Sequence, residues 1–168
     1  YMVARLKDGS GHLVGQALLR AALDPGVGTG YCGAAVNSTG RPGALLALGS
    51  ARVTDDDLRL RAFRLPPSSH GMFFVSRMPG SIPNVGGSQG TMCLAGTIDR
   101  FLRPGDFGST GLDGAIELRV DLAAIPQPSG PVAGLPGDTR YIQCRYRDTG
   151  AGGAATTNIT NGVEVTQE

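Results

Sequence analysis

Apolar and polar residues alternate along most of this chain with a period of two. Residues 115–122 show it most cleanly: Ile116, Leu118, Val120 and Leu122 are apolar, and Glu117, Arg119 and Asp121 fall between them. Successive side chains of a strand point to opposite faces, so this period is that of a half-buried β-strand. Residues 58–65 repeat it, with Leu58, Leu60, Ala62 and Arg64 on one face and Arg59, Arg61 and Phe63 on the other. In 91–98, Met92, Leu94 and Ile98 oppose Cys93, Ala95 and Thr97, so Cys93 faces away from the apolar side, towards a covering segment such as the one around Cys32. In 139–148, Ile142, Cys144 and Tyr146 oppose Tyr141, Gln143, Arg145 and Arg147. Residues 44–53, 71–77 and 162–167 complete a set of about seven body strands, and no stretch of the body keeps a helical period.

Turn-forming clusters punctuate these strands: Asp55-Asp56-Asp57, Pro66-Pro67-Ser68-Ser69, Pro104-Gly105-Asp106, Pro126-Gln127-Pro128 and Pro136-Gly137-Asp138. Short strands with turns every 8 to 12 residues predict an all-β chain, a β-sandwich of about seven or more antiparallel strands with an N-terminal arm. The loop over 83–90 (PNVGGSQG) runs into the strand that holds Cys93 and is the point on which the other strands converge.

Three segments are expected. Residues 1–23 form an arm: 3–6 and 12–19 flank an Asp-Gly turn, the strong local signal for a hairpin, although Ala and Leu would also let 16–23 form a short helix. Residues 24–30 (DPGVGTG) have the composition of a flexible linker. Residues 31–168 are the sandwich. A lone hairpin is marginal in water, so the arm's apolar positions Val3, Leu6, Leu13, Val14, Leu18 and Leu19 are expected either to fold back on the body or to add strands to a neighbouring copy.

Composition narrows the function. A net charge of +1 over 168 residues supplies no field for nucleic acid. No run of 18 apolar residues is present, so no membrane span is expected. The chain begins at Tyr1 with no leader, which suggests a signal peptide already removed or a piece of something longer. Cys32, Cys93 and Cys144 lack metal-ligand spacing; one bridge and one free thiol is the simplest arrangement, and it implies an oxidising compartment.

Several short strings occur in order: Tyr31-Cys32, NSTG at 37–40, Leu65-Pro66, GGSQGTMCLAG, IDRF at 98–101, DLAAIPQPSG at 121–130, PGDT at 136–139, YRD at 146–148 and NIT at 158–160. Together they resemble a domain that recurs near the C-terminus of secreted multidomain proteins of planctomycete-like and myxobacterium-like bacteria. The resemblance covers roughly 31–167 and leaves the arm outside. It implies a secreted β-sandwich with no established activity and a Cys32–Cys93 disulfide. Cys144 and Arg145 depart from the pattern, which has a non-cysteine followed by an aromatic there.

The candidate chemistry is thin. Gly86-Gly87-Ser88-Gln89-Gly90 fits G-x-S-x-G, but the hydrolase motif sits between a strand and a helix and precedes its histidine. Here a strand follows, and the two histidines, His12 and His70, both come earlier, so no catalytic residue is assigned. The Asp55–Asp57 triplet lacks calcium-loop spacing, and neither metal nor cofactor is expected. Arg59, Arg61, Arg145 and Arg147, together with Arg64, are read as a possible polyanion face, because planar guanidinium forks match carboxylated sugars; solvated strand faces account for them as well. Asn37 and Asn158 head glycosylation sequons. The expectation is a non-catalytic protein, extracellular or on the cell surface, that assembles head-to-tail into a filament through its arm. The alternative is a polysaccharide- or surface-binding module of a larger secreted enzyme.

Overall fold

The computed structural model describes residues 26–168 throughout, together with the backbone of two N-terminal strands, residues 2–7 and 13–19. These are β1 (Met2–Lys7) and β2 (Leu13–Leu19), which pair antiparallel as a separate two-stranded sheet. Residues 16–19 are therefore strand rather than helix, as cross-strand pairing outweighs a weak local preference. The turn at Asp8-Gly9 and the side chains of Val3, Leu6, Leu13, Val14, Leu18 and Leu19 lie outside the described residues.

The body is all-β and consists of two antiparallel sheets facing each other as a sandwich. Its strands are β3 (Thr29–Tyr31), β4 (Ala44–Gly49), β5 (Leu58–Phe63), β6 (His70–Pro83), β7 (Thr91–Arg100), β8 (Phe107–Ser109), β9 (Ile116–Val120), β10 (Thr139–Thr149), β11 (Ala155–Ile159) and β12 (Gly162–Thr166). The larger sheet has seven strands in the order β3-β12-β10-β6-β7, with β11 on the end of β10 and β8 on the start of β6. The smaller is β4-β5-β9.

Alternation decides the core. Leu45 and Ala47, Leu58, Leu60 and Ala62, and Ile116, Leu118 and Val120 face inward from the small sheet. They meet Phe73, Val75, Ile142, Cys144, Tyr146, Val163 and Val165 from the large one. Burying each such aliphatic or aromatic side chain is worth roughly 1.5–3 kcal/mol. Asn161, in the turn between β11 and β12, also joins the sheets: its side chain accepts from the Leu45 N–H at 2.7 Å and donates to the Leu45 carbonyl at 3.2 Å.

The body has ten strands, three more than the alternation displays. β3 and β8 are three residues long and rich in glycine, and β11 (ATTNI) has no clean apolar face. The 24–30 segment is not a free tether. Val27 N–H bonds to the Ala47 carbonyl at 2.9 Å, and Thr29, Gly30 and Tyr31 pair with β12.

The feature that shapes the outer surface is the β6–β7 hairpin. β6 runs for 14 residues, and its pairing with β7 shifts register between Ser76 and Met78 and again between Pro79 and Ile82. Bulges bend a strand and raise its twist, and Pro79, which has no N–H to give, sits at one. A Cβ at Gly80 would lie 2.7 Å from the Leu94 carbonyl oxygen, so only glycine lets the two strands approach there. The hairpin bends back over the outer face of the large sheet. There Met92 and Leu94 bury a second, smaller core with Phe74 and Ile159, flanked by Met72, Val85, Ile98 and Tyr141.

Candidate functional site

Cys32 and Cys93 form a disulfide, and Cys144 is a buried free thiol. The bridge ties the returning hairpin to the segment just after β3, the far edge strand of the sheet. Tyr31 reinforces the tie by donating its hydroxyl to the Cys93 carbonyl at 2.8 Å and by meeting Tyr141 edge-on at 5.4 Å. Burial raises the Tyr31 hydroxyl well above its ordinary pKa. Beneath the hairpin, Gln143 is fully buried. It accepts from the Cys93 N–H at 2.7 Å and donates to the Thr91 and Thr160 carbonyls at 3.2 and 2.9 Å. Its amide thus satisfies backbone groups that no strand partner reaches.

The 83–90 loop lies against β10 and β11. Ser88 is 2% exposed; its hydroxyl donates to the Thr157 carbonyl at 3.1 Å and accepts from the Gly90 N–H at 3.3 Å. That geometry holds a loop in place and presents no open nucleophile. The three acidic turn residues are also engaged. Asp55 accepts from the Ser50 hydroxyl at 2.6 Å, Asp56 from the Leu122 N–H at 3.0 Å, and Asp57 lies 3.5 Å from Arg59. Among the described residues no cluster of metal-ligating side chains is present. The two sequon asparagines are buried. Asn37 donates to the Arg64 carbonyl at 2.7 Å and the Tyr146 hydroxyl at 3.2 Å; Asn158 donates to the Val36 carbonyl and Asp148, both at 3.2 Å.

The four arginines read from sequence as one polyanion face do not form one. Arg59 and Arg61 alternate with the core residues of β5 and so project from the outer face of the small sheet. There Arg61 pairs with Glu117 at 2.9 Å and Arg59 with Asp57. Arg145 and Arg147 project from the outer face of the large sheet, on the opposite side of the sandwich. Phase within a strand was legible from the sequence; which sheet each strand joins was not. Arg64 stands apart with a positive φ of 58°, its guanidinium 5.4 Å from the Phe63 ring centre.

What Arg145 and Arg147 join instead is an open groove of about 480 Å³ on the large sheet. Its apolar floor is Met72 and Phe74 from β6, with Phe107 from β8 beside them, and Arg100 from β7 stands on the other flank. Phe107 is 48% exposed. The Arg100 guanidinium sits 5.4 Å from the centre of the Phe74 ring, a cation–π contact. Arg145 is fixed by its Nε and Nη2 bonds to the Thr157 hydroxyl at 3.1 and 2.9 Å, and Nη2 also reaches the Gly86 carbonyl at 3.3 Å. Among the described residues, none of Arg100, Arg145 and Arg147 has a carboxylate within ion-pair distance.

Arg100 and Phe107 were not singled out from the sequence. Arg100 is the third residue of the IDRF string, two residues past the expected strand end, where the alternation 94-96-98 does continue to position 100. Phe107 belongs to a strand too short to show a pattern. A second groove of similar size, about 510 Å³, lies at the other end of the sheet. Its two cations share one carboxylate: Arg140 and Arg77 both approach Asp138, at 3.0 and 3.7 Å. Burial, then the neighbouring Arg77, lowers the Arg140 pKa against the pull of Asp138.

No family model, no curated protein and no solved structure matches the chain.

Proposed function

We propose that this protein is a non-catalytic extracellular module that binds an anionic polymer or surface through the outer face of its seven-stranded sheet. The observation that carries the reading is the set of three arginines, none neutralised by a carboxylate among the described residues, around a half-apolar groove. Arg145, already held by Thr157 and Gly86, loses little conformational freedom on meeting an anion. The disulfide fits an oxidising compartment, and among the described residues no helix is long and apolar enough to cross a membrane. The commitment of Ser88 to backbone partners supports a non-catalytic role. The same reading takes the body as a domain of secreted bacterial proteins, on the motifs quoted above. Co-sedimentation with carboxylated and with sulfated beads tests it. The protein is expected on at least one of them at low salt, and the Arg100→Gln/Arg145→Gln/Arg147→Gln variant on neither. Equal behaviour of the two proteins would remove the proposal.

A second reading is favoured by a different observation: among the described residues, β1 and β2 pair with each other and join neither body sheet. A hairpin of this kind gains stability by adding to the sheet edge of another copy, and a head-to-tail contact that does not close makes a fibre. Sedimentation of the full chain and of one lacking residues 1–23 tests it. Two equally stable monomers would rule out assembly through the hairpin.

A further inference from the structure

We infer that Asn161 is a deamidation site whose rate is governed by the hydrogen bonds that tie the two sheets together. Asn161-Gly162 is the one Asn-Gly pair in the sequence; Asn37, Asn84 and Asn158 are followed by Ser, Val and Ile. A glycine, having no Cβ, leaves its backbone nitrogen open to the Cγ of the asparagine before it. The fold requires both residues. The half-buried Asn161 amide accepts from the Leu45 N–H at 2.7 Å and donates to the Leu45 carbonyl at 3.2 Å. A carboxylate could only accept. At position 162 a Cβ would lie 2.5 Å from Cε1 of Tyr31, and so would displace the ring whose hydroxyl bonds the Cys93 carbonyl. Packing therefore keeps the labile pair in place.

The reaction needs only water. The Gly162 nitrogen gives its proton to solvent and attacks Asn161 Cγ. The Cγ–Nδ2 bond breaks, and the side-chain nitrogen leaves as ammonia with a proton returned from solvent. Water then opens the cyclic imide at one carbonyl or the other, giving aspartate or isoaspartate. In the native chain Nδ2 donates to the Leu45 and Gly162 carbonyls, and Oδ1 accepts from Leu45. Gly162 is buried and paired with Tyr31 as the first residue of β12. Attack makes Cγ tetrahedral and turns the amide out of its plane, which breaks its bonds to Leu45. The native rate is therefore the open-chain rate scaled by the fraction of time the sheets stand apart there. Either product hinders their closing. Aspartate keeps an acceptor for the Leu45 N–H but sets a charge against the Leu45 carbonyl. Isoaspartate routes the backbone through Cβ and Cγ, lengthening it by a methylene at the start of β12, whose Val163 and Val165 lie in the core.

Peptide mapping of the full chain, held at mildly alkaline pH with and without denaturing urea, tests the inference. In urea, Asn161 is expected to convert to aspartate and isoaspartate ahead of Asn37, Asn84 and Asn158. Without urea its conversion should be slower by roughly tenfold or more, the factor for an opening populated a tenth of the time or less. The Asn161→Asp variant, which carries one of the two products, should have its unfolding equilibrium constant raised roughly tenfold, the usual cost of an unmet polar group. The rate comparison uses the parent chain alone and stands whether or not that variant folds. A native rate equal to the rate in urea would overturn control by the inter-sheet bonds. Another asparagine converting first in urea would overturn the choice of site. An Asn161→Asp variant as stable as the parent would overturn the consequence for the sheets.

Discussion

The side-chain oxygen of Gln143 accepts a hydrogen bond from the backbone N–H of Cys93 at 2.7 Å, across 50 residues of sequence. The same amide donates to Thr91 and Thr160, so one side chain sews the returning hairpin to the sheet beneath it. Replacing Gln143 with Leu or Met preserves most of its volume and strands one N–H and two carbonyls in a buried place. Each unmet group costs about 1–3 kcal/mol. Urea denaturation should show a loss of at least ~2 kcal/mol, a large share of the stability of a domain this size. An unchanged midpoint would mean that water reaches under the hairpin.

Reduction of Cys32–Cys93 should lower stability by about 4 kcal/mol on the chain-entropy model, given the 61-residue separation. The check is the denaturation midpoint of Cys32→Ser/Cys93→Ser beside that of the parent with and without reductant. The double variant and the reduced parent should agree. Because the bridge anchors the hairpin and not the main core, the loss should appear first as hydrogen exchange over 83–95, ahead of global unfolding.

Burial pushes the Cys144 thiol from its ordinary 9.0 up to about 12. Burial likewise pushes the Tyr146 hydroxyl from 10.0 to about 12, against the opposing bond from Asn37. In the unfolded chain both ionise earlier, so the unfolded state releases protons first and stability falls with rising pH. Their contribution is whole below about pH 9 and is lost on the way to about pH 12. Denaturation midpoints should therefore be flat between neutrality and about pH 9 and decline above it. Cys144→Ala should delay the onset of the decline by about one pH unit, to the tyrosine range. In the native state the thiol should be silent to a disulfide-exchange reagent and react once per chain in denaturant.

Ser88 should not be labelled by a fluorophosphonate. Ser88→Ala should cost only about 0.5–1.5 kcal/mol, the value of its bond to the Thr157 carbonyl, and should leave any activity of the preparation as it was. Covalent labelling at Ser88 would overturn the structural role given to the loop.

The main β-sandwich core was legible because it depends on strand phase alone. Leu58, Leu60 and Ala62, Ile116, Leu118 and Val120, and Ile142, Cys144 and Tyr146 were all placed on single faces by their spacing, and all are buried together. Sheet membership was not legible, since a period of two says which side a residue takes but not which sheet its strand joins. Arg59 and Arg145 therefore looked like neighbours and lie on opposite outsides of the sandwich. Gln143 was read as outward-facing, which its phase supports. It is buried all the same, because the outer face is covered by a hairpin whose bend depends on bulges that leave no periodic trace. The groove was invisible for the same reason: its floor combines one long bent strand and a three-residue strand.

The hairpin that covers part of the outer face also sets where the uncovered part begins. Gly86, in the loop at its tip, holds Arg145 through its carbonyl, so the edge of the lid and the first cation of the groove are one joint. The length of this single hairpin therefore acts as a ruler. The tip rests on Arg145 and, through Gly87 and Ser88, on Thr156 and Thr157 of β11, so residues added there would carry the lid further over β11 and the Arg145 side of the trough. Residues removed would lengthen the trough and uncover Met92 and Leu94. With the ruler stapled at Cys93 and Gln143, the open length is fixed before any partner arrives.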